Sequence, residues 1–148
     1  MKQVFPIIPA GAPAAGTLAV MGVFLIALLA LFAYTAYASR HVRFELSEDG
    51  LSIRGDLYGR FISRQDLVPE QARALDLTSE TPFALSWRTN GVGLPGYKAG
   101  WFKLKNGEKA LAFVTDARRI AYIPTRLGYS VLLSVESPAE FVRALQLR

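Results

Sequence analysis

The 148-residue chain contains no cysteine. Disulfide bridges and thiolate metal sites are therefore excluded, and the redox compartment cannot be read from this feature. His41 is the single histidine. It stands beside Arg40 and Arg43, and neither a metal site nor a Ser-His-Asp relay has its partners at recognisable spacing. The carboxylates Asp66, Glu70, Asp76 and Asp116 are scattered singly, so nothing singles out an acid/base pair. No catalytic residue, metal or cofactor is expected, and the chain reads as non-enzymatic. Dense Lys/Arg clusters are missing as well, which argues against a nucleic-acid partner.

Charge is absent from one long stretch: no side chain between Val4 and Ser39 is ionisable at neutral pH as an acid or base. Lys2 aside, every Lys and Arg and all 12 carboxylates lie at or beyond Arg40, leaving the remainder with +4 of the chain's +5. The apolar core of the stretch, Thr17–Ala38, is about 33 Å long as a helix, enough to span a hydrocarbon layer of roughly 30 Å. Tyr34 and Tyr37 fall where aromatic rings favour the interface, and Arg40 and Arg43 follow as charged stops. The segment 1–16, rich in Pro, Ala and Gly, reads as an extended or interfacial lead-in. A cleaved signal peptide is the alternative, since Ala36-Tyr37-Ala38 before Ser39 has the small-x-small form of a cleavage site. The apolar run, however, exceeds the usual length of about 7–15 residues for such a segment. The basic residues after the helix place the C-terminal part in the cytoplasm by the positive-inside rule. The expected organisation is a lead-in at 1–16, a single transmembrane helix at 17–38 and a β domain at 40–148.

Beyond Arg40 the pattern changes to short alternating runs separated by turn residues, as in strands. Eight are expected: Val42–Ser47, Leu51–Arg54, Tyr58–Ser63, Arg73–Thr78, Tyr97–Lys105, Glu108–Thr115, Arg119–Pro124 and Tyr129–Ser134. Glu48-Asp49-Gly50 joins the first two as a tight turn. Asn106-Gly107 predicts a two-residue type I′ hairpin, which pairs Phe102 with Leu111 and Trp101 with Ala112. Phe102, Leu104, Leu111 and Phe113 then share the core face, while Trp101, Lys103 and Lys105 point outward. Ser137, Pro138 and Glu140 have the form of a capping box that opens a final helix, with Phe141, Ala144 and Leu145 on its buried face. A small curled sheet or open barrel with one packed helix follows from this order of elements.

Three segments carry a resemblance to a family: LSIRGDLYGRFIS at 51–63, RTNGVGLPGYKAGWFKLKNGEKALAFVTD at 88–116 and AYIPTRLGYSVLLSVESPAEFVRAL at 121–145. In order and spacing they resemble the bacterial pleckstrin-homology-like domain proteins, many of which carry N-terminal membrane helices. The resemblance implies a mainly β fold, a seven-stranded, strongly bent antiparallel sheet or open barrel capped by a C-terminal helix, and a place at the bacterial plasma membrane. It implies no catalytic residues. It also leaves one strand too many, either Leu51–Arg54 or Arg73–Thr78.

Several constellations admit more than one reading. Gly91, Gly93 and Gly96 match a G-x-G-x-x-G string, but Pro95 and a β run follow where a phosphate-binding helix should open, so turn glycines explain them. Arg88–Tyr97 reads as a long glycine-rich connection, and Arg88, Asn90, Tyr97 and Trp101 are expected to border a partner-binding surface. The competing reading makes Trp101 a covered scaffold residue. Lys103, Lys105, Arg118, Arg119 and Arg126 are candidates for a lipid-headgroup patch, against a solvated surface with partial ion pairing. The leading expectation is a membrane-tethered module that recruits or regulates a protein partner or self-associates. Alternatives are an anionic-headgroup binder and an accessory subunit of a larger membrane complex, for which Gly22 is the sole packing cue in the helix.

Overall fold

In the computed structural model, which describes residues 2–9 and 11–148, the uncharged stretch forms one helix, α1 (Ala12–His41). Of the expected lead-in at 1–16, Met1 and Ala10 lie outside the described residues. α1 starts ahead of Thr17 because Pro13 falls in its first turn, where a missing N–H costs nothing. Its 30 residues extend about 45 Å. Apolar side chains are exposed from Leu18 to Phe32 with no polar face between them. With a mean hydropathy of 2.5 and at most two charges in its most apolar window, α1 is long and apolar enough to cross a membrane. Residues 1–37 and 38–148 form two compact units, and the last turn of α1 belongs to the second.

The second unit holds nine strands in two sheets. A small antiparallel sheet joins β1 (Arg43–Leu46), β2 (Gly50–Arg54) and β3 (Phe61–Ser63) in chain order. The expected Glu48-Asp49-Gly50 turn links β1 to β2, with Leu46 paired to Leu51. The larger sheet comprises β4 (Arg73–Leu75), β5 (Leu85–Leu94), β6 (Tyr97–Leu104), β7 (Lys109–Val114), β8 (Ile120–Pro124) and β9 (Ser130–Ser134), in the order β4-β8-β9-β7-β6-β5. The sheets are not closed into a barrel. One pair, β7 with β9, is parallel, because β8 is carried one place beyond β9, which then returns between β7 and β8.

Both strands suspected of being surplus, at 51–54 and 73–78, are present as β2 and β4. The additional strand is β5, which occupies most of the span read as a glycine-rich connection. Its glycines serve strand pairing: Gly91 lies opposite Gly100, and a Cβ on Gly100, where φ is +119°, would sit 2.5 Å from the Asn90 carbonyl oxygen. Pro95-Gly96 then turns β5 into β6, with Gly96 at φ +77° as a type II turn requires.

The hairpin register differs from expectation by one residue. Phe102 pairs with Ala110 and Trp101 with Leu111. No non-glycine residue has positive φ among the described residues, so Asn106 is not in a type I′ turn. Instead Gly107 N–H donates to Leu104 O (3.0 Å), and Leu104 N–H donates to Glu108 O (2.9 Å). Together they close a three-residue loop with Gly107 at φ +90°, the glycine-bulge form of hairpin. Leu111 and Phe113 therefore lie on the face opposite Phe102 and Leu104.

Both faces of the central strands are buried. One packs Leu75, Leu77, Phe102, Leu104, Ala112, Ile120, Tyr122 and Leu132 together. The other carries Leu111, Phe113, Ile123, Val131 and Leu133, with Phe44 of β1 edge-on to Phe113 at 6.1 Å. α2 (Pro138–Leu147) rests on β4 and β8. Ser137 makes no side-chain capping bond, so the capping box is not formed, and the residues buried on α2 are Val142 and Leu145, with Phe141 half-buried and Ala144 exposed. Leu145→Ala should cost about 2–5 kcal/mol, the range for emptying a buried leucine site, and more than Phe141→Ala. Urea denaturation of the detergent-solubilised chain measures both. The reverse order would mean that α2 docks through Phe141.

Candidate interaction surface

The connection from β2 to β3 lies across the outer face of β5 and β6. Three of its residues reach the sheet in succession. The Tyr97 hydroxyl donates to the Asp56 carboxylate, the Tyr58 hydroxyl donates to Asn90 Oδ1 (3.1 Å), and the Arg60 guanidinium lies 4.7 Å from the Trp101 ring centre. Gly55 at φ +92° begins the segment. Asp56 shapes its turn by accepting the Tyr58 N–H on its side chain and the Gly59 N–H on its carbonyl.

Trp101 is thus a covered, half-buried residue. Lys109 Nζ stands 4.6 Å from its ring centre, and Tyr129 meets it edge-on at 4.8 Å. Each cation over the ring contributes on the order of 0.5–1 kcal/mol at such a partly exposed site. Tyr97 is buried, at 5% exposure. Asn90 shares the face of Trp101, whereas Arg88 pairs with Phe102 and points to the other side, its guanidinium against Gly93. The four residues expected to border one surface are therefore divided between two faces and two depths. Sequence reasoning gave no place to Trp87, which is 70% exposed and lies opposite Lys103 near the start of β5. Nor did it connect Arg60 and Tyr129 with Trp101, since both stand far from it in sequence.

The basic candidates are spread along the larger sheet. Lys103 lies across from Lys109, and Lys105 is in the following turn. Arg126 belongs to the β8–β9 turn at this same end. Arg118 and Arg119 precede β8, a strand length away from Arg126, on the order of 15–20 Å. Arg119 is ion-paired with Asp116 at 2.9 Å. The Asp116 carboxyl is held below its ordinary value by the Arg118 backbone N–H and then by Arg119. Asp76 is lowered likewise, chiefly by the Thr78 hydroxyl.

The concave features are lined by polar groups, some of which fasten neighbouring elements. A hollow of about 460 Å³ is lined by Arg64, Glu70, Arg126 and Gln146. Within it Arg64 donates to Leu145 O (2.9 Å), and the Gln146 amide donates to Pro69 O (3.1 Å), both of which fasten α2. Beside Tyr129, the Tyr122 hydroxyl donates to Glu108 (2.9 Å), which also accepts from Ser130 (3.1 Å). Burial raises the Tyr122 phenol, so it remains a protonated donor at neutral pH.

Two sheets not closed into a barrel, followed by a C-terminal helix, give a PH-like domain. Residues 42–148 match the family described as Bacterial PH domain, and the chain belongs to that family. No curated protein and no solved structure matches it.

The two tryptophans of the domain should separate in their effects. Trp101→Ala should lower unfolding free energy by about 2–4 kcal/mol through lost packing and cation contacts. Trp87→Ala should stay within about 0.5 kcal/mol, as for an exposed site. Equal losses in a denaturant titration would contradict the assignment of Trp101 as scaffold and Trp87 as free surface.

Proposed function

We propose that the protein is a membrane-tethered, non-enzymatic interaction module whose β5 edge receives an extended, acidic segment of a protein partner, with the domain on the cytoplasmic side of a bacterial plasma membrane. PH-like domains are generally binding modules for proteins or lipids, and α1 supplies a tether. The observation that carries the choice of partner is the edge strand itself. β5 is the terminal strand of the larger sheet, ten residues long, and exposes most of Trp87 to solvent. An edge strand offers backbone donors and acceptors to a further strand, and pockets beside it supply specificity. Between Leu85 and Lys105 the charged residues are Arg88, Lys98, Lys103 and Lys105, with no carboxylate, which favours an acidic segment. Register shifts at Leu85/Trp87 and Arg88/Asn90 interrupt the first half of β5, so pairing is assigned to Asn90–Leu94, with Trp87 and Lys103 as side-chain contacts. Lys105 follows β6 at this end of the sheet, whereas Arg126, in the β8–β9 turn two strands and more from β5, and Arg118 and Arg119 lie outside the proposed site.

A photo-cross-linking residue placed at Trp87 in the full chain, expressed in cells, should give a defined protein adduct. The same residue at Arg118 should not, and Lys103→Glu should weaken the adduct from position 87. Equal yields at both positions, or none at 87, would overturn the β5 assignment.

A further inference from the structure

The β2–β3 turn has a second side, facing away from the sheet. Inside the second unit, Val42 alone stands between the last turn of α1 and β1. Within the folded unit, Gly55 packs directly on that junction: a Cβ there would lie 2.4 Å from the His41 carbonyl oxygen and 3.1 Å from the Val42 Cα. Two residues further on, Leu57 projects into solvent at 78% exposure. Its position is held by the Asp56 turn on one side and by the Asp56–Tyr97, Tyr58–Asn90 and Arg60–Trp101 contacts on the other. A fixed turn that displays a leucine exposes apolar surface that folding itself does not use.

If α1 crosses a bilayer, Arg40 marks the level where charge leaves the hydrocarbon, and each headgroup layer is roughly 5–8 Å thick. Leu57 is two residues from a glycine in contact with His41, a reach of about 7 Å at most. Arg40 stands in the last turn of α1, and Arg43 and Arg54 pair across β1 and β2 just before the turn, Arg54 also ion-paired with Glu45 at 3.3 Å; basic residues beside an apolar side chain suit an anionic interface.

We propose that the turn Gly55–Gly59 is a lipid-contacting element that sets Leu57 into the boundary between headgroups and acyl chains, fixing the orientation of the domain on its own membrane. This rests on α1 being a membrane span, and it is independent of the protein-binding role of β5. The absence of cysteine permits a direct test in the full chain. Leu57→Cys, Phe24→Cys and Lys105→Cys variants, each labelled with an environment-sensitive fluorophore, are reconstituted into phosphatidylcholine/phosphatidylglycerol vesicles containing nitroxide-labelled lipid. Probes at positions 24 and 57 should be blue-shifted and lose most of their emission to the nitroxide, while the probe at 105 should keep aqueous emission. A probe at 57 that behaves like that at 105, with 24 still quenched, overturns the lipid contact and leaves the anchor standing. Aqueous emission from 24 as well would overturn both.

Discussion

The six residues Gly55–Arg60 hold the domain's two sheets in register. The small sheet has only three short strands, and a sheet of that size is marginal without something to pack against. Its inner side chains, Leu51, Ile53 and Ile62, are buried, but burial of aliphatic groups does not fix direction. The three polar and cation–aromatic contacts from Asp56, Tyr58 and Arg60 do, because each requires a particular donor, acceptor or ring. They account for why Trp101 is covered and why Tyr97 is buried.

This arrangement divides the surface into distinct regions. The face of β6 that carries Trp101 is occupied by the protein's own chain. What remains open is the far edge of β5 with Trp87 and, at the junction with α1, the outer side of the turn. If α1 holds the domain at a bilayer, affinity that merely recruits it adds little. Contacts made by the turn would then define which way the domain faces.

What could be read from the sequence follows from how local each signal is. The long helix was legible because an uncharged apolar run is a property of consecutive residues. The start of α2 was legible through Ser137 and Pro138, but its buried face shifted from Phe141 and Ala144 to Val142, since periodicity alone does not fix rotation to within one residue. The Asn106-Gly107 hairpin was located correctly and its register missed, because the same dipeptide serves a two-residue or a three-residue loop and the choice moved Leu111 and Phe113 to the other face. β5 was hidden by Gly91, Gly93 and Pro95, residues that usually break strands; here Gly91 permits close approach to β6 and Pro95 forms the turn that follows β5. The covering of Trp101 by Arg60 involves residues distant in sequence, and composition gives no sign of it.

The most direct test of the account is a double-mutant cycle across the turn, combining Asp56→Ala with Tyr97→Phe and following unfolding of the full chain in denaturant. If Gly55–Arg60 fastens the sheets, the two substitutions should be coupled by about 1–2 kcal/mol, as for a hydrogen bond to a carboxylate. Strict additivity of the two losses would contradict it.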